Sequence, residues 1–500
     1  MRNRNSVISV TIIVIVAKLI AFLKEFVLSY YFGVSAVTDA YNISYTIPIT
    51  IVSFIVIGIN TAYIPSYNKV KSEKSESEAI VFSNAVISIV FWMTCITFLL
   101  IEIFAEAVVG CFATGFDAET MKLAAKLTRY MAAVVFFLGY NRVISSYIQL
   151  KNKYYIVTLC EILLYGFSIV GIIFGYYFRL EYLSIGVLLG YMMESIVLTI
   201  VAVKQNYKYS FKIIPSNPHI KGFVLLVLPV IFSSFASDIN KVVGKTIASM
   251  YAEGSISTLG YAGKIDEAVI SIFVTSLVSI AYPKLSNAVS MKKEELLQKQ
   301  IKNDAIYMLM LTVPVFLGIV LFSEEIINFL FVRGAFTKED GERVAIAFII
   351  YSCGMIPTAF RKYYVRIYYA FSKAKEAANN SLLIVLLNIP LSFILSRFFG
   401  LYGIPLSGVI CIFIGAGVLI FKTKKFCVIN YKPVINALWR IFLSALVATG
   451  GSKVVYIVCN SWINENILLI LCVFLACVIY FLLIIAFKLN YMFKYIMSKE

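Results

Sequence analysis

The sequence predicts an all-α polytopic membrane protein, and three observations support this prediction. Of the 500 residues, 61% are hydrophobic and 14% are charged, whereas soluble globular domains have roughly 45–50% and about 25%. Apolar stretches follow one another along the whole chain, and lysines are concentrated in alternate connections between them. A chain this apolar cannot cover a soluble core with polar surface, so a soluble enzyme, a disordered chain and a nucleic-acid-binding domain are excluded.

The predicted transmembrane helices follow from the lengths of the apolar stretches. About 20 residues are needed to cross ~30 Å of hydrocarbon. We predict fourteen such helices, with twelve or thirteen as the alternatives. They are residues 6–32, 38–66, 79–109, 121–150, 154–178, 182–204, 221–251, 257–289, 302–331, 342–371, 377–399, 401–424, 434–459 and 464–492.

The lysines predict the orientation of these helices. An even number of spans places both termini on one side of the membrane, and basic residues concentrate in cytoplasmic loops. With the N-terminus in the cytoplasm, every inside connection is basic, for example at Lys151 with Lys153 and at Lys373 with Lys375, and the outside loops are nearly neutral. Much of the net charge of +17 is therefore explained by topology, with both termini cytoplasmic.

An internal repeat predicts the domain organisation. Tyr63-Ile64-Pro65 near the end of predicted helix 2 matches Tyr282-Pro283 near the end of predicted helix 8, and other pairs share this offset of about 217–220 residues. The repeat predicts two six-helix lobes, residues 1–218 and 219–430, followed by two additional helices in residues 431–500. An even number of helices in the offset makes this a parallel pseudo-repeat, with a substrate site between the lobes.

A smaller set of charges lies inside the predicted helices, where each costs roughly 2.5–3.5 kcal/mol on insertion scales and is by default a functional candidate. Lys241 and Lys245 share one face of predicted helix 7 with Asp238, in an i, i+3, i+7 pattern. If these cations face those of helices 1 and 8, they form a basic cavity that favours an anion such as phosphate or pyrophosphate. The candidate cations are Lys18, Lys24, Lys241, Lys245 and Lys264, and the candidate supporting or coupling acids are Glu25, Asp39 and Asp238.

Several of these groups have a simpler structural interpretation. Lys24 lies where its ammonium group could reach the outer interface, so snorkelling and substrate binding are both open. Asp39 starts predicted helix 2, where a carboxylate would act as the N-cap. Arg361, Lys362 and Arg366 lie near the inner end of predicted helix 10, where snorkelling is expected.

The sequence contains no phosphate-cradling Gly-rich loop ending in Lys-Ser/Thr, which argues against an ATPase in this chain. The nine cysteines show no paired metal-ligand spacing. We therefore expect a transporter rather than an enzyme, with no cofactor and no bound metal. The expected driving force is the membrane potential or a monovalent cation gradient, with Glu25 or Asp238 as the coupling group.

Three segments resemble a known family. They are Lys18 to Glu25 followed by Tyr31-Phe32-Gly33 and Thr38-Asp39-Ala40-Tyr41, the segment from Ala252 to Lys264, and Phe331 to Thr337 with its Arg-Gly-Ala-Phe-Thr motif. In order and spacing they resemble the MurJ (MviN) lipid II flippases of the multidrug/oligosaccharidyl-lipid/polysaccharide (MOP) exporter superfamily. The resemblance covers most of residues 1–430.

The resemblance implies a two-lobed, fourteen-helix protein of the bacterial cytoplasmic membrane that moves lipid II, a lipid-linked peptidoglycan precursor, to the outer leaflet. Membrane lipids and cell-wall synthesis proteins are implied partners. By position, the family's cavity arginines fall on Lys18, Lys24 and Lys264, and its helix 1 acid on Glu25. Lysine keeps the charge of arginine but lacks its bidentate fork for phosphate.

Three other functions remain open at this point. One is a flippase for another undecaprenyl-pyrophosphate-linked polysaccharide. The second is a drug or cation exporter of the same superfamily, in which carboxylates rather than lysines would line the cavity. The third is a scaffold that transports nothing and tolerates neutral residues at every candidate lysine.

Overall fold

A computed structural model of the chain describes residues 2–210, 218–291, 293–427 and 429–487. Eighteen α-helices make up this part of the chain, and they carry the numbers α1 to α18 in chain order. They are α1 Arg2–Phe32, α2 Ala36–Glu73, α3 Glu76–Ile103, α4 Ala105–Phe112, α5 Ala118–Ala132, α6 Val134–Leu150, α7 Tyr154–Tyr177, α8 Tyr182–Lys204, α9 Pro218–Ala248, α10 Ser255–Ile270, α11 Ser276–Ser290, α12 Glu294–Phe331, α13 Lys338–Cys353, α14 Met355–Ala370, α15 Ala374–Phe399, α16 Gly403–Thr423, α17 Lys432–Cys459 and α18 Glu465–Ala486.

The all-α, polytopic fold class is confirmed. Ten helical stretches in the described residues are long and apolar enough to cross a membrane, or eleven if the bent pair α5–α6 is one span. One of the ten, Ala374–Thr423, is a 50-residue stretch that a 3₁₀ turn at Gly400–Tyr402 divides into α15 and α16. The total of fourteen spans stays a prediction.

Several predicted spans are interrupted rather than continuous. The segment predicted at 121–150 is broken at Ala133 into α5 and α6, which meet at 41°. A π-helical turn at Ser271–Thr275 separates α10 from α11, and such turns occur mostly inside α-helices at functional positions. Apolar length alone therefore located these segments but not their internal bends.

The chain divides into two compact units, one made of Met1–Ser257 with Arg333–Phe336 and the other of Thr258–Val332 with Thr337–Glu500. The predicted lobe boundary at 218/219 rests on the repeat and stays a prediction. In the first unit α7 packs on α1 and α8, and α2 packs on α5, α6 and α9. The α7–α8 contact is close because Gly171 faces Gly186, and a Cβ at either position would overlap the backbone of the other helix.

In the second unit α12 is the central element. Its buried residues from Ala305 to Leu317 form a core with Ala437, Ile441 and Ala445 of α17. A second core, at Phe322, packs against Tyr456 of α17 and Leu468 of α18. Burying these side chains supplies the dispersion contacts that hold helices together where no water is present to drive association.

Candidate functional site

Lys24 is the most buried of the candidate cations. Lys24 is 7% exposed, and its Nζ lies 2.7 Å from Oε1 of Glu25. The same Nζ lies 5.5 Å and 5.4 Å from the ring centres of Tyr41 and Tyr45 in α2. A buried ammonium is stable only when such partners replace its hydration, so Lys24 is held by protein groups and does not snorkel.

Lys245 reaches the same part of α2 from another helix. Its Nζ donates a hydrogen bond to Oγ1 of Thr46, which follows Tyr45 directly. Residues 41–46 of α2 therefore contact two predicted site lysines, Lys24 of α1 and Lys245 of α9. Sequence reasoning missed Tyr41, Tyr45 and Thr46, although polar and aromatic residues in an otherwise apolar helix were an available signal.

The other candidates differ in position. Lys241 lies one helical turn before Lys245 and is exposed, as is Lys18 on α1. Lys264 of α10 is half-buried and belongs to the second unit. The backbone of Asp238 lies in α9, but its side chain is outside the described part of the structure.

Asp39 is not the N-cap of its own helix, and this expectation was wrong. Ser35 caps α2, because its hydroxyl oxygen accepts a hydrogen bond of 3.3 Å from the N–H of Thr38. The Asp39 carboxylate, which is 3% exposed, instead accepts hydrogen bonds from the N–H groups of Ser257 at 2.7 Å and Ile256 at 3.4 Å. Asp39 thus caps α10, where its negative charge also complements the helix dipole.

This contact is part of a larger cluster, here called the turn cluster, formed by residues 30–39, 254–257 and 333–336. Gly33, Gly254 and Gly334 all have positive φ, at 56°, 78° and 62°. A Cβ on Gly33 would overlap the carbonyl of Ala335, and one on Gly334 would overlap the carbonyl of Tyr30. The motifs that carry the family resemblance therefore meet here as three interlocked glycine turns.

Two further contacts close the turn cluster. The N–H of Ala335 donates a hydrogen bond of 2.8 Å to the carbonyl of Tyr30. The guanidinium carbon of Arg333 lies 5.1 Å from the ring centre of Phe26 in α1, which is a cation–π distance. The close-packed glycine turns, the Asp39 cap of α10, the Ala335–Tyr30 hydrogen bond and the Arg333–Phe26 contact thus all contribute to holding the cluster together.

Replacing Asp39 by alanine is expected to lower the free energy of unfolding by about 2 kcal/mol, because two N–H groups of α10 lose their acceptor in a buried site. Asp39→Asn keeps an oxygen acceptor and should lose about half as much. Ser35→Ala, which removes the cap of α2 itself, is the matched control and should cost about 1 kcal/mol. Denaturant unfolding of the purified protein measures all three, and an Asp39→Ala loss no larger than that of Ser35→Ala would contradict the capping role.

Two basic residues in the middle of α14 have protein partners. Arg361 donates hydrogen bonds to Oδ1 of Asn380 at 3.3 Å and to the hydroxyl of Ser381 at 2.8 Å. Lys362 donates to Oγ1 of Thr275 at 2.9 Å, at the end of the π-helical turn. The snorkelling expected for Arg361 and Lys362 is therefore replaced by hydrogen bonds within the second unit.

Long apolar helices that carry buried charged side chains define the class of this protein as a polytopic α-helical membrane protein. A solved structure described as an inward-facing multidrug resistance MATE family transporter of the MOP superfamily matches with a TM-score of 0.69 and 14% identity, over 82% of this chain and 94% of that one. Another, described as lipid II flippase MurJ in an inward closed conformation, matches with a TM-score of 0.84 and 24% identity, over 97% of this chain and 100% of that one. Both matches show a shared fold.

The family follows from the sequence comparison. The family model described as lipid II flippase MurJ matches residues 28–493. A relative named probable lipid II flippase MurJ, from Rickettsia prowazekii (strain Madrid E), is 25% identical over 418 residues, which are 82% of each chain. The chain belongs to the lipid II flippase MurJ family, which confirms the resemblance inferred from its motifs. As a member of that family it is a transporter and not an enzyme.

Proposed function

We propose that this protein moves lipid II from the inner to the outer leaflet of a bacterial cytoplasmic membrane by alternating access, with both termini in the cytoplasm. The observation that carries the proposal is that Lys24 and Lys245, from two different helices, both contact residues 41–46 of α2. Two cations on one short helical segment in a low-dielectric surround favour a multiply charged anion such as pyrophosphate. Family membership supports lipid II as the carrier of that anion.

The Lys24–Glu25 pair suggests how binding couples to a driving force. A pyrophosphate oxygen that takes the place of Glu25 beside Lys24 removes an ammonium group that lies 2.7 Å from the Glu25 carboxylate. Burial and the loss of a neighbouring positive charge favour the uptake of a proton or a monovalent cation by that carboxylate. Glu25 is therefore the proposed coupling group, and Lys18, Lys241 and Lys264 are the proposed additional ligands for the head group.

The test is rescue of a bacterium depleted of its own lipid II flippase. The parent chain should restore growth and the exposure of lipid II at the outer surface, and Lys18→Ala/Lys24→Ala/Lys264→Ala should abolish both, because the head group loses three cations. The control is a triple alanine variant at Lys153, Lys204 and Lys299, which lie at or near helix ends outside the proposed site, and it should rescue as the parent does. Immunoblotting of membranes checks that each variant reaches the membrane.

Each outcome distinguishes one hypothesis. Rescue by the Lys18/Lys24/Lys264 variant would show that the site is assigned wrongly. Restored growth without restored exposure of lipid II at the outer surface would favour a scaffold. A parent that fails to rescue, together with loss of another surface polymer when its gene is deleted, would identify a flippase for a different lipid-linked glycan. Ethidium efflux that depends on the chain would instead indicate a drug exporter.

A further inference from the structure

A cavity of about 250 Å³ lies in the second unit where the ends of α14, α15 and α16 meet. Tyr368 of α14 closes one side of it. Glu376, Asn379 and Leu383 line it from α15, and Val418 and Lys422 line it from α16. Each set lies on one helical face, because the residues are separated by three, four or seven positions.

The lining changes from polar to apolar along both helices. On α15, Glu376 and Asn379 lie in the first two turns, and Leu383 follows one turn further in. On α16, Lys422 lies in the last turn, and Val418 lies one turn further in. This order matches the polarity of a phospholipid, whose head group lies at the membrane surface and whose chains lie in the hydrocarbon.

The charge around the cavity favours an anion. Glu376 forms a surface ion pair with Lys373, whose Nζ lies 3.7 Å from its Oε1. The side chain of Lys422 makes no ion pair or hydrogen bond with any residue that the structure describes. Lys424 and Lys425 lie two and three positions further along the chain. Basic pockets between transmembrane helices bind anionic lipid head groups, because each lysine near such a surface contributes about fivefold to binding.

Exposed apolar side chains stand close in sequence to the residues that line the cavity. Leu382 and Leu386 of α15 are 47% and 61% exposed, and Phe421 of α16 is 68% exposed. These side chains can contact acyl chains, whereas the cavity itself has room for a head group but not for a whole lipid. We propose that the cavity binds the phosphate of an anionic glycerophospholipid through Lys422, at a site separate from the lysines proposed for the transported substrate.

Native mass spectrometry of the purified full-length protein, titrated with phosphatidylglycerol, tests this proposal. The parent should retain one phosphatidylglycerol and release phosphatidylcholine. Lys422→Ala should weaken binding of phosphatidylglycerol about fivefold. Leu383→Trp, which fills the cavity and keeps every charge, should weaken it as well. Lys204→Ala is the control, because Lys204 lies in the last turn of α8 as Lys422 does in α16.

Thermal unfolding identifies the source of the bound phosphate. Phosphatidylglycerol should raise the unfolding midpoint of the parent and of Lys204→Ala, and should have less effect on Lys422→Ala and Leu383→Trp. Inorganic phosphate at the same concentration should have no effect. Equal stabilisation of all four proteins by phosphatidylglycerol, equal stabilisation by phosphatidylcholine, or stabilisation by inorganic phosphate through Lys422 would each overturn the proposal. None of these readouts depends on flippase activity.

Discussion

Replacing Lys24 by alanine is expected to lower the free energy of unfolding by about 3–5 kcal/mol, the range found when one partner of a buried ion pair is removed. Glu25 is 8% exposed, and its carboxylate would lose an ammonium group at 2.7 Å. The rings of Tyr41 and Tyr45 would lose the same cation. Lys18→Ala is the control, because an exposed lysine should change stability by less than about 0.5 kcal/mol.

A double variant separates the structural role of Lys24 from its proposed role in transport. Lys24→Met/Glu25→Leu removes both charges and keeps the volume, so its stability should come within about 1 kcal/mol of the parent. If Lys24 binds the transported pyrophosphate, or if Glu25 couples binding to the driving force, this stable double variant should still fail to rescue a flippase-depleted cell. Rescue by the double variant would show that Lys24 serves only to neutralise Glu25. Denaturant unfolding and the rescue assay, carried out on the same variants, decide between these roles.

The helices were predictable from sequence because apolar length determines them, whereas their caps and bends were not. Asp39 illustrates the reason. A carboxylate near a helix start predicts a cap, but which helix it caps depends on which chain segment folds beside it, and here that segment is the start of α10. The break at Ala133 likewise could not be predicted from the length of the apolar stretch, because the stretch is continuous across it.

The candidate site was predictable in part. Intramembrane lysines stand out because they are costly in hydrocarbon, and this criterion selected Lys24 and Lys245. It could not show that both reach α2 at residues 41–46, since that depends on how α1 and α9 pack on α2. Glycines in the family motifs were visible in the sequence, but only the backbone shows that Gly33, Gly254 and Gly334 have positive φ and lie together.

Gly33→Ala is expected to destabilise the turn cluster by about 3 kcal/mol. A non-glycine residue at positive φ costs roughly 1–2 kcal/mol, and overlap of the new Cβ with the Ala335 carbonyl adds a comparable packing cost. Gly110→Ala is the matched control, because Gly110 lies in α4 and a Cβ there meets nothing within 4 Å. That change should be neutral or stabilising by up to about 1 kcal/mol, since alanine is the better helix former.

Hydrogen exchange measures this effect locally. Peptides covering residues 333–336 should exchange faster in Gly33→Ala, because the Ala335 N–H depends on its 2.8 Å bond to Tyr30, and should be unchanged in Gly110→Ala. Unchanged exchange in Gly33→Ala would show that the cluster tolerates a Cβ. If movement of the turn cluster is part of the proposed alternating access, Gly33→Ala should also impair rescue of a flippase-depleted cell in a protein that remains folded.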